Sequence, residues 1–223
     1  MVSVTHPTEV GVINPVWLSF PDETRAKLQA FGHVQTVEGG ALLFKEGEAA
    51  QTAFFPLAGT FLLSKTGRAG RRQMLCKLDA AKCGGPCLLM MGDQNLGDMR
   101  VVEPGSVLML SREQLEELAI ADPALGRSVL NSVVHCMSHF ITSLGNLSFN
   151  KVAQRVAMAL LDATGGDGDG NVVRETQADL AAEVGTTREV VARCLAELQE
   201  GGAIKLGRGR ITVMDRDYLQ HVR

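Results

Sequence analysis

A single glycine, Gly185, separates two short amphipathic segments, and this arrangement constrains the fold more than any other feature of the sequence. Thr176 suits the N-cap of a first helix, and Asp179 follows where an acidic side chain favours a helix start. The apolar positions of the two segments are Leu180, Ala181, Val184, Val190, Val191, Leu195 and Leu198. Because Gly185 tolerates the positive φ angle of a tight turn, the pattern predicts a helix-turn-helix, with Thr187 capping the second helix.

The second predicted helix carries polar residues at its N-terminal end. The major groove of DNA admits an α-helix, and the first residues of such a helix meet the edges of the bases. Arg188 can donate two hydrogen bonds to a guanine, Glu189 can accept one from a cytosine amino group, and Arg193 can reach a base or a phosphate. The further candidates for DNA contact, at helix starts whose amides suit phosphates, are Thr176, Gln177 and Thr187.

A basic hairpin is predicted over residues 201–213, directly after the second helix. It carries three cations, which are Lys205, Arg208 and Arg210. This order of elements is that of a winged helix-turn-helix, with the wing beside the DNA backbone; the alternative is a plain surface hairpin. From Arg174 to Arg223 there are eight basic and eight acidic residues, so we expect salt-sensitive but moderate affinity from one chain and additional affinity from a dimer.

Turn residues, many of them glycines, divide the first 110 residues into short apolar runs. These runs are residues 41–44, 53–57, 61–64, 74–78 and 106–110. Strands at this spacing predict a small β-sandwich or barrel, preceded by a short helix that opens near Pro21.

A long helical pattern follows over residues 123–146, after a shorter helix that starts at Ser111 with Gln114 in the capping-box position. Along the long helix, residues spaced alternately by four and three form a candidate seam, which consists of Val129, Val133, Cys136, Phe140, Ser143 and Leu147. Two interpretations fit, a long core helix and a two-chain coiled coil. We favour the coiled-coil dimer because a small sandwich could not cover the whole seam.

A flexible turn is predicted at residues 164–171, after the last helical pattern of the chain's middle part. Residues 149–163 continue the helical pattern, and residues 164–171 are rich in Gly and Asp but lack the closing Glu of a calcium loop.

The composition argues against several classes of protein. The 223 residues carry a net charge of −3, and no run of about 18 apolar residues is present, so we expect no membrane span. The N-terminus lacks the pattern of a secretory signal, and we expect a cytoplasmic protein. Because the chain is not basic, any DNA binding depends on a local patch. Five cysteines, an odd number, argue against a disulfide framework.

Three segments together resemble the Crp/Fnr family of bacterial transcription regulators, over about Trp17 to Val213. Residues 185–193 resemble the recognition helix of that family. Residues 145–149 with 155–157 resemble the end of its dimer helix and the hinge, and residues 40–48, with Gly59 in the later turn, resemble its cyclic-nucleotide-binding sandwich.

The resemblance implies an α+β protein in three parts: an N-terminal sensory β jelly roll (a double-stranded β-helix) in residues 1–120, a dimerisation helix in 121–148, and a winged helix-turn-helix in 149–223. It implies a homodimer on a pseudo-palindromic DNA operator, RNA polymerase as a partner, and neither enzymatic activity nor a membrane. By the family pattern, the base-reading residues would be Arg188, Glu189 and Arg193.

Residues 82–98 depart from the family members that bind cyclic AMP. Those members carry a Gly-Glu pair for the ribose and an Arg-Ser pair for the phosphate. Here Pro86 stands where the Glu is expected, no Arg-Ser follows, and Phe140 and Ile141 replace the polar residues that would meet the adenine. Since a phosphate without its Arg lacks a charge-assisted anchor, we expect no cyclic AMP binding.

The cysteines offer other sensor chemistry. Cys83 and Cys87 lie four residues apart in a Gly/Pro-rich bend, with Cys76 seven residues earlier. Thiolates are soft metal ligands, and a close dithiol can oxidise to a disulfide. Three interpretations stay open: a tight turn with two buried thiols, a redox switch, and ligation of a metal ion, an iron–sulfur cluster or haem.

A second, weaker constellation lies on the long helix. His135 and His139 have the i, i+4 spacing of a two-His metal site, and Cys136 could face its twin in a partner chain. Cys194 is predicted to be packing.

Three functional hypotheses follow. The favoured one is a dimeric transcription regulator that is switched by a signal at the sensory domain. The others are a constitutive DNA-binding regulator that has lost its ligand, and a thiol redox enzyme that uses Cys83 and Cys87.

Overall fold

The computed structural model describes residues 13–81, 93–164 and 171–222. They form two compact units. The first unit is the described part of residues 1–65 and 75–139, and the second is the described part of residues 66–74 and 140–223. Segment 66–74 thus groups with the C-terminal part of the chain, although it connects two strands of the N-terminal sheet and contains the first residues of the second of them.

Two short helices open the described chain, α1 (Pro15–Ser19) and α2 (Asp22–Phe31). The strands that follow are β1 (His33–Val37), β2 (Leu42–Phe44), β3 (Thr52–Thr66), β4 (Arg72–Asp79) and β5 (Asp98–Ser111). They form one sheet in the order β1-β5-β3-β4, with β2 also paired to β5, and β1, β2 and β3 all run antiparallel to β5.

The pairing of the long strands β3 and β5 is irregular around Gly59, where the sequence pattern predicts a turn between two short strands. The register between them shifts three times between Pro56 and Phe61. Gly59 lies in this stretch with φ +90°, and a Cβ there would be 2.8 Å from the Glu103 carbonyl oxygen. The predicted runs 53–57 and 61–64 are therefore one bent strand, because bulges increase local bending without ending the pairing.

Two apolar clusters fill the first unit. One, which includes Trp17, Phe55 and Leu125, joins the sheet to the helices. The other, which includes Phe54, Phe61 and Met99, lies among the strands.

Two helices follow the sheet, α3 (Arg112–Ala121) and α4 (Pro123–Phe149). The predicted capping box is confirmed, since the Ser111 hydroxyl accepts from Gln114 N and the Gln114 side chain accepts from Ser111 N. Asp122 caps the N-terminus of α4, because its carboxylate accepts hydrogen bonds from the backbone N–H groups of Ala124 and Leu125. Within the described ranges, no helix combines the length and the apolar character needed to cross a membrane.

The C-terminal part of the second unit is a helical domain with a small sheet. Its helices are α5 (Val152–Ala163), α6 (Gln177–Val184), α7 (Arg188–Glu200) and α8 (Arg216–Gln220). Its strands β6 (Val172–Val173), β7 (Ile204–Gly207) and β8 (Arg210–Val213) form a sheet in the order β6-β8-β7. One apolar core unites these elements. The predicted α+β class, with an antiparallel N-terminal domain, a long helix and a C-terminal helix-turn-helix, is confirmed.

Candidate nucleic-acid interface

The first helix of the predicted motif, α6, is fixed at both ends. The Thr176 hydroxyl accepts a hydrogen bond from Asp179 N at 3.1 Å and donates one to the Asp179 carboxylate at 2.7 Å. Leu180 and Val184 are buried in the core of the second unit. Gly185 ends the helix with φ +73°, in the left-handed region that favours glycine, as the sequence predicted.

The second helix, α7, is buried along one face and exposed at its start. Its inner face is the buried set Val191, Cys194, Leu195 and Leu198. Arg188, Glu189 and Arg193 are exposed. Glu189 and Arg193 are four residues apart and share one face, whereas Arg188 projects from the first turn. Three polar side chains are therefore held on a rigid element without being used by the core.

The cap of α7 differs in detail from the prediction. Thr187 occupies the N-cap position, but its side chain makes no capping hydrogen bond. Glu189 accepts instead from its own backbone N–H and from the Thr187 hydroxyl, and these bonds hold the pKa of the Glu189 carboxyl below its ordinary value. Glu189 therefore stays ionised at neutral pH and can act only as a hydrogen-bond acceptor.

The predicted wing is a two-residue hairpin between β7 and β8. The Gln199 side chain accepts from Leu206 N at 2.8 Å and so ties the wing to the end of α7. The three cations of the hairpin, Lys205, Arg208 and Arg210, are all exposed. Thr176 and Thr187 are exposed as well, and Gln177 is half-buried.

Arg155 is a positioning residue that the sequence analysis did not single out for this role. Its Nε donates to the Val184 carbonyl at 2.8 Å and its Nη1 donates to the Asn150 carbonyl at 2.7 Å. One guanidinium therefore joins the carbonyl at the end of α6 to the carbonyl directly after α4. A cation is favourable at a helix C-terminus, where backbone carbonyls lack partners.

A second missed residue is Arg72, at the start of β4. Its Nη2 donates to the Asp179 carboxylate at 2.6 Å, across 107 positions of sequence. The next residue, Gln73, donates through Nε2 to the Glu183 carbonyl at 3.4 Å. Segment 66–74 is thus attached along α6. The spacing of residues in the sequence contains no signal for such a long-range pair.

The exposed face of α4 is displaced by one residue from the predicted seam. Val129 packs against the core of the first unit, and Cys136 and Phe140 are half-buried, whereas Val133 and Leu147 are each 43% exposed. A set of apolar residues on α4 is at least 56% exposed, and its members are spaced by four, three, four and three residues. These residues are Leu130, Val134, Met137, Ile141 and Leu144. This set is called the exposed α4 stripe below.

The candidate sensor residues are distributed over several places. Cys83 and Cys87 lie outside the described residues, as does the segment that departs from the cyclic AMP pattern around Pro86. Cys76 is buried in the core of the first unit. Burial raises the pKa of the Cys136 thiol, and it is also the main cause that raises the pKa of the Cys194 thiol, so both are poor nucleophiles.

The two histidines of α4 have different surroundings. The Nε2 of His139 lies 2.9 Å from the Leu75 carbonyl oxygen, whereas His135 lines an open groove with Arg127 and Asn131. In the part of the chain that the structure describes, no group of three or more His, Cys, Asp and Glu side chains is arranged to hold a metal ion.

Two family models match this chain. The model of the cyclic nucleotide-binding domain matches residues 34–122, and the model of the Crp-like helix-turn-helix domain matches residues 154–222. The chain is also similar to the cyclic AMP receptor protein of Thermus thermophilus, with 27% identity over 183 residues that cover 82% of this chain and 84% of that protein.

Solved structures share the fold. The c-di-GMP-responsive global regulator CLP of Xanthomonas campestris superposes with a TM-score of 0.77 at 18% identity, over 86% of this chain and 99% of that one. A transcriptional regulator of the Crp/Fnr family from Eubacterium rectale gives a TM-score of 0.75 at 20% identity, over 92% and 96% of the two chains. These structures show the fold. The two family models, which between them match residues 34–122 and 154–222, and the similarity to the Thermus thermophilus protein show that the chain belongs to the Crp/Fnr family of transcription regulators.

Proposed function

We propose that the protein acts as a homodimer that reads a pseudo-palindromic operator through the N-terminal ends of its two α7 helices. The observation that carries this proposal is the exposure of Arg188, Glu189 and Arg193 on a helix whose opposite face is fully packed. Arg188 would pair with a guanine, Glu189 with a cytosine amino group, and Arg193 with a base or a phosphate. Thr176, Gln177, Thr187 and the wing cations would contact the backbone.

The second part of the proposal is that the exposed α4 stripe is the seam between the two chains. Its spacing repeats every seven residues, as in a two-stranded coiled coil, and the 27 residues of α4 give a helix about 40 Å long. Val133 and Leu147 would flank this seam, whereas Val129, Cys136 and Phe140 face or border their own chain. A single helix face that exposes five large apolar side chains is costly in water, and a second copy would cover it.

A duplex pool with a randomised central region tests the proposal directly. The protein would select bound duplexes through several rounds, and the survivors would be sequenced. We expect an inverted repeat whose half-sites lie about one helical turn apart, each with G·C pairs. Selection that yields no enriched sequence, or a single unrepeated site, would reject it.

We further propose that the first unit receives a signal other than cyclic AMP and that thiol oxidation or metal ligation at Cys83 and Cys87 is its source. Support comes from the sequence: two soft ligands four residues apart, and the missing Arg-Ser pair. Operator binding would be compared for reduced, oxidised and metal-loaded protein, and for the variant in which Cys83 and Cys87 are both Ser. A response in the natural protein that disappears in the variant is expected. Equal responses would favour a constitutive regulator, and a response to cyclic AMP would overturn the prediction against that ligand.

A further inference from the structure

Segment 66–74 forms a compact basic turn in the second unit, and it is called the arginine turn below. It carries three arginines, Arg68, Arg71 and Arg72, and no acidic residue. Gly67 N donates to the Arg71 carbonyl at 2.9 Å and Gly70 N donates to the Gly67 carbonyl at 2.9 Å. Arg68 and Arg71 are exposed. A hydrogen-bonded backbone turn thus carries two exposed cations three residues apart.

The arginine turn is anchored on the first helix of the DNA-binding motif. Arg72 pairs with Asp179 at 2.6 Å, and Asp179 lies in the first turn of α6, hydrogen-bonded to the cap residue Thr176. Gln73 reaches the Glu183 carbonyl near the other end of α6. The start of β4 therefore lies alongside α6. The two exposed arginines belong to the same compact unit as the cap of α6.

The position matters because the first helix of a helix-turn-helix crosses the DNA backbone. A carboxylate in the first turn of that helix would repel phosphates. The ion pair with Arg72 balances the charge of Asp179, the acidic residue in the first turn of α6. Residues 174–223 are electrically neutral in total, and the arginine turn adds three positive charges to that domain.

We propose that the arginine turn is a further DNA-binding element, in which Arg68 and Arg71 contact phosphates of the duplex beside the site read by α7. The ligand is the phosphodiester backbone, without preference for sequence. The proposal rests on the proposed function, since it takes α6 and α7 as the DNA-facing elements. Arg72 is a positioning residue that acts by holding the turn on α6.

Salt dependence measures such contacts. The logarithm of the binding constant falls with the logarithm of the salt concentration, with a slope of about −0.9 for each phosphate that is neutralised. A dimer would present four arginines from its two turns. Replacing Arg68 and Arg71 by Ala would therefore make the slope shallower by about 2 to 4, and would weaken binding to operator and to random duplex alike, by about tenfold or more at low salt.

The experiment titrates a labelled duplex with the full-length protein at several salt concentrations, using the operator and a random duplex. The test variant is R68A/R71A, and the matched control is K45A/R112A, which removes two exposed cations from the first unit. Far-UV circular dichroism and thermal unfolding verify that both variants fold. The proposal predicts a shallower slope for the test variant and an unchanged slope for the control.

Two results would overturn the inference. One is a test variant with the slope and the affinity of the control variant, and the other is tighter DNA binding by R72A, which would make the turn a brake on binding. If the natural protein shows no sequence-specific binding at all, the proposed function fails instead, and the salt titration of random duplex still decides whether the turn contacts phosphates.

Discussion

At the scale of the residue, Arg188 is the side chain proposed to pair with a guanine. Its side chain is exposed at the start of α7, where it is free of any role in the core. R188A would lose a bidentate contact, with a cost of about 1–3 kcal/mol in each half-site, and binding to random duplex would change much less. Fluorescence anisotropy on both duplexes measures this, with E200Q at the other end of α7 as the control. Full retention of operator discrimination by R188A would contradict the assignment.

Gly59 combines a positive φ angle with a crowded position for a Cβ atom. Its φ is +90°, and a Cβ would lie 2.8 Å from the Glu103 carbonyl oxygen and 2.9 Å from that of Pro104. Gly40 also has a positive φ, +85°, but a Cβ there meets nothing within 4 Å. G40A should cost about 1–2 kcal/mol through its backbone conformation alone, and G59A should cost about 3 kcal/mol or more because backbone atoms must also move. Urea unfolding of the two variants tests the difference, and equal costs would contradict it.

Asp122 links the stability of the first unit to pH. The Thr24 hydroxyl donates to its carboxylate at 2.7 Å, and this bond, with the N–H groups of Leu125 and Ala124 and the nearby Lys27 ammonium, holds the pKa of Asp122 below its ordinary value. An acid with a lowered folded-state pKa stabilises the protein above its unfolded-state pKa, and this contribution is lost as the pH falls through the folded-state value.

The matching prediction concerns D122N. It should be less stable than the natural protein at pH 7, by about 1–2 kcal/mol, because Asn cannot accept these bonds as an anion. Its stability should also fall less steeply than that of the natural protein below about pH 4, where ordinary Asp side chains titrate. Urea midpoints from pH 3 to pH 7 measure both effects. The control is E117Q, which removes an exposed carboxylate on α3, and equally steep curves for D122N and the natural protein would refute the assignment.

At the scale of the element, substitutions in the exposed α4 stripe should weaken the dimer without unfolding the chain. Ile141 is 65% exposed and belongs to the stripe, whereas Thr142 is exposed but one position away from it. I141K would place a charge against its twin in the seam and would shift the protein toward monomer, while T142K would leave the dimer intact. Sedimentation equilibrium gives the two dissociation constants, with at least a tenfold weakening expected for I141K alone. Equal dissociation constants would place the seam elsewhere.

Local sequence signals predicted the helices and strands well, but they did not predict which segments contact one another in the fold. Gly185, Thr176 and the apolar spacing of α7 act within a few residues of each other, so the helix-turn-helix could be recognised from the sequence alone. On α4 the sequence contains two adjacent apolar stripes, and periodicity cannot tell which one packs on its own domain. The pairing of Arg72 with Asp179 depends on chain segments 107 residues apart, and no local rule predicts it.

At the scale of the whole molecule, the proposed homodimer would connect its two α7 helices through paired α4 helices. Arg155 contributes to this connection, because it holds the end of α6 and the residue after α4 through one guanidinium. A signal that altered the pairing of the α4 helices could therefore change the placement of the two reading helices, which is a coupling between two sites in the thermodynamic sense.

The most direct test of the central claim measures how binding depends on the spacing of the two half-sites. The affinity of the full-length protein would be determined for its selected operator and for the same operator with five base pairs inserted at the centre. Half a helical turn moves one half-site to the opposite side of the duplex, so two linked α7 helices cannot reach both. If one dimer reads both half-sites, the insertion lowers the affinity to that of a duplex carrying a single half-site. Unchanged affinity would show that the protein does not read the two half-sites together.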